Sequence, residues 1–181
     1  MDGDRAHLAI LGSGGIGKTS IALSILHDHQ IRAKFKEEDC YFITCEALAS
    51  GAHLVDALVQ ALAVKAPASG QSKCLDALLL HLKQTYSACS VLLVLDNFET
   101  LCDIESSQED VGHVLQCLCH VRLVILVVTM RGSNPPGLPG KIEWDHLPLV
   151  EPLSLEELKR PTLPSVPQWI HHWRSLSEFS F

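Results

Sequence analysis

The segment LGSGGIGKTS, residues 11–20, carries the residue types and the spacing G-x-x-x-x-G-K-T of a phosphate-binding loop. Its glycines let backbone N–H groups curl around phosphate oxygens, and a helix beginning near Lys18 directs its positive dipole end at the same anion. We expect the Lys18 ammonium to contact the β- and γ-phosphates and the Thr19 hydroxyl to ligate Mg²⁺. The residues predicted to bind ATP or ADP are Gly12, Ser13, Gly14, Gly15, Ile16, Gly17, Lys18, Thr19 and Ser20.

A second chemical signal is the segment VLLVLDNFE, in which the apolar run 91–95 ends at Asp96. This is the form of a Walker B element, whose carboxylate supports Mg²⁺ beside a phosphate loop. An Asp at the end of a strand also occurs in ordinary turns, but the phosphate loop favours the metal interpretation. We therefore expect Thr19 and Asp96 to hold the metal.

The residue after Asp96 bears on hydrolysis. Asn97 stands where many hydrolases of this class carry a second acid that polarises the attacking water, and an amide cannot take up that proton. Glu99 is the nearest carboxylate able to substitute, and the sequence does not show whether it points inward. Slow hydrolysis of ATP is therefore left open as an activity.

A third signal follows the apolar run 123–128, where the chain reads TMRG and places Thr129 and Arg131 at a strand end. A guanidinium recognises phosphate through a planar fork of donors, so we expect these two residues to reach the γ-phosphate and report its presence. The alternative is an arginine that points into solvent from a loop. The predicted catalytic set is Lys18, Asp96, Glu99 and Arg131.

Apolar periodicity predicts elements that alternate between strand and helix. Strands are predicted at residues 7–11, 41–46, 91–95 and 121–128, with a short one near 146–150; helices are predicted at 18–29, 52–64, 74–86 and 111–119, with another beginning at 154–158. Such alternation indicates a parallel sheet covered by helices on both faces. The predicted fold is an α/β class P-loop NTPase three-layer α/β/α sandwich with a mostly parallel sheet of about five strands. Each signal falls at the carboxyl end of a strand, where such sheets bind ligands.

Length and composition indicate one folded domain and limit its partners. The chain has 181 residues, 47% of them hydrophobic, and a net charge of -7. Because the net charge is negative and the basic residues do not form a cluster, the chain is not expected to bind nucleic acid. No apolar run approaches the ~20 residues that span a bilayer, so no membrane partner is expected. The seven cysteines contain no C-x-x-C pair and the ten histidines lack convergent acidic partners, which predicts reduced thiols, a cytoplasmic location and no structural metal.

Four segments in this order resemble the nucleotide-binding core of STAND NTPases, the signal-transduction ATPases that include NB-ARC and NACHT proteins. They are LGSGGIGKTSIA, LLVLDNFET, LVVTMRGSNPPG and W-x-x-LPLVEPLSLEEL. The similarity is greatest to the NLR-like STAND proteins of mushroom-forming fungi, in which Asn also follows the Walker B Asp. It covers about residues 8–158, and TMRG with a nearby Pro matches Arg131 and Pro135 or Pro136.

The resemblance implies a slow molecular switch. Such proteins hold ADP in a closed state, exchange it for ATP when a sensor region is engaged, and then self-associate through the nucleotide domain. It therefore implies ATP or ADP with Mg²⁺ as cofactors, nucleotide as the main partner, slow or no hydrolysis, and a role in signalling.

The chain departs from that family at both ends, which predicts truncation. Only MDGDRAH precedes the first strand, where the family carries a segment that helps to enclose the adenine. After residue 158 the chain contains Pro161, Pro164 and Pro167, which break the helix that the family continues. We expect an NTPase domain at residues 1–158 and a Pro- and Trp-containing tail at 159–181 that is poorly ordered or docks on the core.

Two other functions remain open, and a third is disfavoured. A truncated, non-catalytic fragment that acts only by pairing with relatives is the first alternative. A P-loop kinase for a small molecule is the second, although it requires an Arg-rich lid and Arg131 alone lies near a predicted strand end. A GTPase is disfavoured because no N-K-x-D motif occurs and DNFE lacks the glycine of D-x-x-G.

Overall fold

The computed structural model describes residues 7–65, 71–137 and 141–146. In this part of the chain five strands form one sheet: β1 (His7–Leu11), β2 (Cys40–Thr44), β3 (Val91–Asp96), β4 (Val124–Met130) and β5 (Trp144–His146). Their order across the sheet is β2-β3-β4-β1-β5, and every neighbouring pair is parallel. The fold class predicted from the sequence is confirmed, and the described residues contain five strands.

Helices cover both faces of this sheet, as expected when the connections between parallel strands are crossovers. They are α1 (Lys18–His27), α2 (His29–Lys34), α3 (Gly51–Ala61), α4 (Gln71–Thr85), α5 (Glu99–Cys102) and α6 (Gln108–Cys119). Short 3₁₀ turns occur at Glu37–Asp39 and Glu105–Ser107. Within the described residues, no helix is both long enough and apolar enough to cross a membrane.

The central strands are continuous apolar runs in the sequence because both of their faces are buried in the structure. In β1, Leu8 and Ile10 pack with α1 and α2, whereas Ala9 and Leu11 belong to the larger core under α3, α4 and α6. Alternate side chains of a strand point to opposite faces, so one apolar segment supplies both cores. The sheet therefore gives the strand ends a rigid support.

The boundaries differ from the sequence predictions where local hydrogen bonds decide them. The sequence predicts one helix over residues 18–29, but Asp28 has an extended backbone and its carboxylate accepts from the Gln30 and Ile31 N–H groups, which ends α1 and begins α2. Strand β4 begins at Val124 rather than at residue 121 because Val124 N donates to Val121 O in a turn. The short helices α2 and α5 lack a periodic apolar stripe, so periodicity does not predict them.

Several sequence predictions lie outside the described residues. These are most of the strand predicted near 146–150, the helix beginning at 154–158, the domain boundary at 158 and the tail at 159–181 with Pro161, Pro164 and Pro167. Strand β5 ends at His146, which agrees with a strand near this place in the chain.

The strand order positions the three chemical signals next to one another. Strand β4 lies between β1 and β3, so the carboxyl ends of these three strands meet at one edge of the sheet. The register pairs Ile10 with Thr129 and Leu95 with Val128. Asp96 therefore lies beside Thr129, and the loop that follows β1 lies on the other side of β4.

Candidate nucleotide-binding site

The phosphate loop leaves β1 at Gly12 and enters α1 through glycines with a left-handed backbone. The φ angles of Gly15 and Gly17 are 79° and 90°, values that a residue with a Cβ adopts only with strain. Ser13, Gly14 and Gly15 are exposed at the top of this turn. The loop therefore presents mainly backbone at the carboxyl edge of the sheet.

Lys18 is the first residue of α1, and its side chain folds back over the loop. Nζ donates to Gly12 O at 3.1 Å and to Ser13 O at 2.7 Å, and the residue is only 7% exposed. Burial lowers the pKa of Lys18, and the Glu99 carboxylate is the strongest influence in the opposite direction. The ammonium is thus held within the loop whose bound phosphates it is predicted to contact.

The start of α1 differs from the starts of α2 and α3 in how its first turn is capped. Asp28 caps α2 and Ser50 caps α3 with side-chain oxygens, whereas no side chain among the described residues caps α1 at Gly17. The starts of α5 and α6 also lack a side-chain cap, but their first turns contain acidic residues, whereas the first turn of α1 contains none. Its N–H donors and the positive end of the helix dipole therefore suit an anion bound at the loop.

Thr19 and Asp96 are in direct contact although 77 positions separate them in the chain. Thr19 Oγ1 lies 3.0 Å from Oδ1 and 3.1 Å from Oδ2 of Asp96, to which it donates. Asp96 is 4% exposed at the end of β3, and Thr19 is half-buried in the first turn of α1. The two residues predicted as metal ligands are thus brought together by the sheet.

Thr129 contributes a second hydroxyl to Asp96. Its Oγ1 donates to Asp96 Oδ1 at 2.5 Å and accepts from the Asn97 N–H at 3.1 Å, while the Thr129 carbonyl accepts from Phe98 N at 2.9 Å. The sequence predicts that Thr129 reaches the γ-phosphate, but its fully buried hydroxyl is engaged with the Walker B segment instead. The sequence does not predict this contact because it depends on the strand order.

The turn after β3 places Asn97 in the left-handed region, with a φ of 56°. Asn adopts this conformation more readily than most residues with a Cβ. The conformation directs the Asn97 N–H towards Thr129 and lets α5 begin two residues later. Asn97 thus shapes the turn, and its amide offers no base for hydrolysis.

Glu99 and Arg131, both predicted as catalytic, are paired with each other. Arg131 Nε lies 3.0 Å from Glu99 Oε1, and the Arg131 N–H donates to Oε2 at 3.2 Å. The Glu99 side chain is 13% exposed, so it does point inward, and it faces the residue that follows β4. The arginine also lies over the phosphate loop, because a Cβ added to Gly14 would be 3.5 Å from Arg131 Nε.

The described site residues fit a magnesium nucleotide. A hydroxyl and a carboxylate about 3 Å apart form a hard oxygen pair of the kind that Mg²⁺ prefers, and the uncapped helix start with its lysine suits phosphates. The predicted residues Lys18, Thr19, Asp96, Glu99 and Arg131 all lie at the same edge of the sheet as the loop from Gly12 to Ser20. The partners of three predicted residues differ from those expected: Thr129 donates to Asp96, and Glu99 and Arg131 bind each other.

Several solved structures share this fold at low sequence identity. The ORC1 protein of Aeropyrum pernix in complex with DNA is 18% identical, with a TM-score of 0.55 over 70% of this chain and 33% of that chain. The Aeropyrum pernix ORC2 protein, solved as ADPNP-ADP complexes, is 16% identical, with a TM-score of 0.54 over 74% and 36%. A chain of the Drosophila ORC bound to GC-rich DNA and Cdc6 is 14% identical, with a TM-score of 0.57 over 99% and 60%. This chain therefore spans less than two thirds of each, and the likeness establishes the fold.

The sequence prediction that excluded a nucleic-acid partner is wrong. Two of these three similar structures contain DNA, so the fold occurs in proteins that engage it. A net charge of -7 is a sum over the whole chain, whereas contact with DNA depends on the charge of a local surface. The acidic composition is therefore no ground for excluding DNA.

Comparison with protein families identifies the group to which the chain belongs. Among curated protein sequences, none is similar enough to count as a relative. A family model described as "AAA domain" matches residues 1–132, which is 132 of the 181 residues and includes the phosphate loop, Asp96 and Arg131. Because most of the chain matches, this protein is a member of the AAA domain family, with a P-loop NTPase fold.

Proposed function

We propose that this AAA domain binds ATP or ADP together with Mg²⁺ at the phosphate loop. The observation that carries the proposal is the contact between Thr19 Oγ1 and the two Asp96 oxygens, at 3.0 and 3.1 Å. It joins the start of α1 to the end of β3 and gives Mg²⁺ an oxygen pair beside a phosphate-binding helix start. The similar fold of the Aeropyrum pernix ORC2 protein, solved with ADPNP and ADP, supports the same class of ligand.

Each residue has a proposed role. The backbone N–H groups from Gly12 to Ser20 surround the phosphates, and Lys18 exchanges its bonds with the Gly12 and Ser13 carbonyls for bonds with phosphate oxygens. Thr19 and Asp96 hold Mg²⁺ directly or through its water shell. Thr129 fixes the orientation of the Asp96 carboxylate, since its hydroxyl is buried and has two partners.

We infer that turnover is slow and that the domain acts as a switch. Asn97 cannot polarise an attacking water, and both oxygens of Glu99 accept from Arg131. The resemblance to STAND NTPases supports a cytoplasmic signalling role in which the ADP and ATP states differ and the ATP state self-associates. In this proposal the NTPase domain comprises residues 1–158, and residues 159–181 form a tail.

The alternative is a non-catalytic domain that acts by association with related chains. It shares the fold and the phosphate loop with the first proposal but requires no turnover. A small-molecule kinase is a weaker alternative, because it needs an acceptor and arginines around it. Binding and turnover measurements separate these three functions.

The experiment is a calorimetric titration of ADP and ATP with Mg²⁺ into the full chain, followed by an assay of phosphate release. We expect Lys18→Ala to weaken nucleotide binding by at least roughly tenfold, because charge-assisted bonds to phosphate are lost. The matched control is Lys83→Ala, which removes an exposed lysine of α4 and should bind as the wild type does. Phosphate release should be slower than roughly one per minute, whereas typical enzymes turn over at ~10 s⁻¹.

The outcomes distinguish the functions. Equal binding by wild type and Lys18→Ala, or no binding by the wild type, would contradict a nucleotide site at this loop. Binding without phosphate release favours the non-catalytic alternative, and rapid transfer to an added acceptor favours a kinase. Size-exclusion chromatography with ADP and with ATP tests self-association, which should increase with ATP.

DNA is a second candidate ligand, and the observation that favours it is its presence in structures of similar fold. Fluorescence anisotropy of a labelled duplex, at low and at physiological salt and with ADP or ATP, tests this binding directly. Binding by electrostatic contact should weaken steeply as the salt concentration rises. No change in anisotropy at low salt would exclude a DNA role for this chain by itself.

A further inference from the structure

Glu99, the first residue of α5, binds Arg131 with both of its carboxylate oxygens. Oε1 lies 3.0 Å from Arg131 Nε, and Oε2 accepts from the Arg131 backbone N–H at 3.2 Å. The Glu99 side chain is 13% exposed, whereas that of Arg131 is 71% exposed. The carboxylate is therefore fixed in the protein, and the guanidinium is the partner that has room to move.

The Arg131 guanidinium lies against the phosphate loop. A Cβ built on Gly14 would be 3.5 Å from Nε and 3.6 Å from Cζ of Arg131. The missing side chain at position 14 thus leaves space beside the guanidinium at the top of the loop. A phosphate held by this loop would lie within the region that the Arg131 side chain can reach.

The same carboxylate acts on Lys18. Burial lowers the pKa of Lys18 and is the main influence on it. The Glu99 carboxylate raises this pKa, and it does so more strongly than Asp96. The direct contact of Glu99 is with Arg131, and its influence on Lys18 is electrostatic.

We propose that Glu99 is a specificity-determining residue, which competes with the γ-phosphate for Arg131 and so lowers the affinity for ATP relative to ADP. This inference rests on the proposed function, because it requires that the loop bind nucleotide. A guanidinium pairs with a carboxylate or with a phosphate through the same kind of donor, and Nε of Arg131 is already given to Glu99, so a phosphate that leaves this pair intact can use only the remaining N–H groups. ATP must therefore displace Glu99 or lie beside its charge, whereas ADP lacks the phosphoryl group that would compete.

The competing role for Glu99 is that of a general base for hydrolysis. A base acts on the attacking water, so its loss slows phosphate release and leaves the affinities for ADP and ATP nearly unchanged. A residue that competes for Arg131 changes the ratio of the two affinities and does so only while Arg131 is present. The two roles therefore predict different measurements for the same variant.

The experiment is a double-mutant cycle on the full chain with Glu99→Gln, Arg131→Gln and the double variant. The dissociation constants for ADP and ATP, both with Mg²⁺, are measured by calorimetry, and phosphate release is measured in parallel. We expect Glu99→Gln to improve ATP binding relative to ADP by roughly two- to fivefold, the range for a partly exposed ion pair. In the Arg131→Gln background the same substitution should change this ratio much less, because the two residues act as a pair.

Controls separate this effect from a change in folding or in overall charge. Glu109→Gln removes an exposed carboxylate from the first turn of α6 and should leave the ratio of affinities unchanged. Thermal unfolding of each variant shows whether it is folded. If Glu99→Gln does not fold, Glu99→Asp tests the proposal, because the shorter side chain should weaken the pair with Arg131 and so improve ATP binding relative to ADP in the same direction.

The results also distinguish failure of this inference from failure of the proposed function. If the wild type binds both nucleotides through Lys18 but Glu99→Gln leaves the ratio unchanged, the inference is overturned and the nucleotide site stands. If that unchanged ratio is accompanied by loss of phosphate release, Glu99 is the base instead. If the wild type binds neither nucleotide, both proposals are overturned.

Discussion

The Thr129 hydroxyl lies 2.5 Å from Oδ1 of Asp96, on the side of the carboxylate that faces β4. Thr129 is fully buried and Asp96 is 4% exposed, so this bond is shielded from water. The same hydroxyl accepts from the Asn97 N–H at 3.1 Å. One side chain thus fixes both the carboxylate and the turn that follows it.

Replacing Thr129 with Val should destabilise the domain by about 1–3 kcal/mol, because the shape is kept while a buried carboxylate loses a donor. The free energy of unfolding from urea denaturation measures this effect. Thr129→Ser is the control: it retains the hydroxyl and should lose only the packing of one methyl group, about 1 kcal/mol. Equal stability of the wild type and Thr129→Val would show that the bond contributes nothing to the fold.

Replacing Thr19 with Ala should remove most of the effect of Mg²⁺ on ATP binding. The proposed oxygen ligand would be absent, so the increase in ATP affinity caused by Mg²⁺ should fall at least roughly tenfold, because removing even an outer partner of a metal ligand has an effect of this size. Calorimetric titrations with Mg²⁺ and with excess EDTA give the comparison. Thr19→Ser keeps the hydroxyl that donates to Asp96 and should retain the dependence on Mg²⁺.

Two glycines of the phosphate loop should respond differently to Ala. Gly17 has a φ of 90°, and no atom beyond the adjoining backbone lies within 4 Å of the position that a Cβ would occupy there, so Gly17→Ala should cost about 1–2 kcal/mol through backbone strain alone. A Cβ on Gly14 would make an ordinary contact with Arg131 at 3.5 Å, so Gly14→Ala should change stability by less than about 0.5 kcal/mol. Urea denaturation of the two variants tests the difference, and equal costs would contradict it.

The stability of the domain should fall above pH 9, partly through Cys45. Burial is the main cause that raises the pKa of Cys45 from 9.0 to about 12, with a smaller contribution from Asp96. Between these values the unfolded chain loses the thiol proton while the folded chain retains it, so the free energy of unfolding decreases as the pH rises. Cys45→Ala should make this decrease shallower by up to about 1.4 kcal/mol per pH unit.

Cys45→Ala also removes packing, which lowers the free energy of unfolding at every pH. The slope of the free energy of unfolding against pH is therefore compared, because this constant loss does not change it. Burial also raises the pKa of Tyr86, so the variant should keep part of the alkaline decrease. Unfolding curves at several pH values between about 9 and 12 provide the slopes. Parallel slopes for wild type and variant would show that the thiol does not contribute.

Most of the sheet could be predicted from the sequence because its strands are buried on both faces. Residues 7–11 and 91–95 are continuous apolar runs between polar or glycine-containing segments, and both are strands in the structure. The phosphate loop was equally predictable, because its chemistry depends on glycines, a lysine and a threonine that are contiguous in the chain. Local signals of this kind do not require knowledge of the fold.

Two local features were missed because a single side chain decides them. Asp28 ends the predicted helix 18–29 at His27 and caps a separate helix, α2, which continues to Lys34. The left-handed backbone of Asn97 begins a turn into α5, which is too short to show a period. Caps and turns of this kind act over only a few residues, so the apolar periodicity of a longer segment does not reveal them.

By itself, the sequence determined the fold class and the phosphate loop and predicted Asp96 as the acidic counterpart of the loop, since each signal lies in neighbouring residues. Only the tertiary structure decided that Thr129 binds Asp96 and that Glu99 binds Arg131. Both contacts join segments about 30 residues apart, and both exist because β4 lies next to β3 in the sheet. Strand order follows from the packing of the whole chain, so the partners of these charged groups could not be read from their spacing.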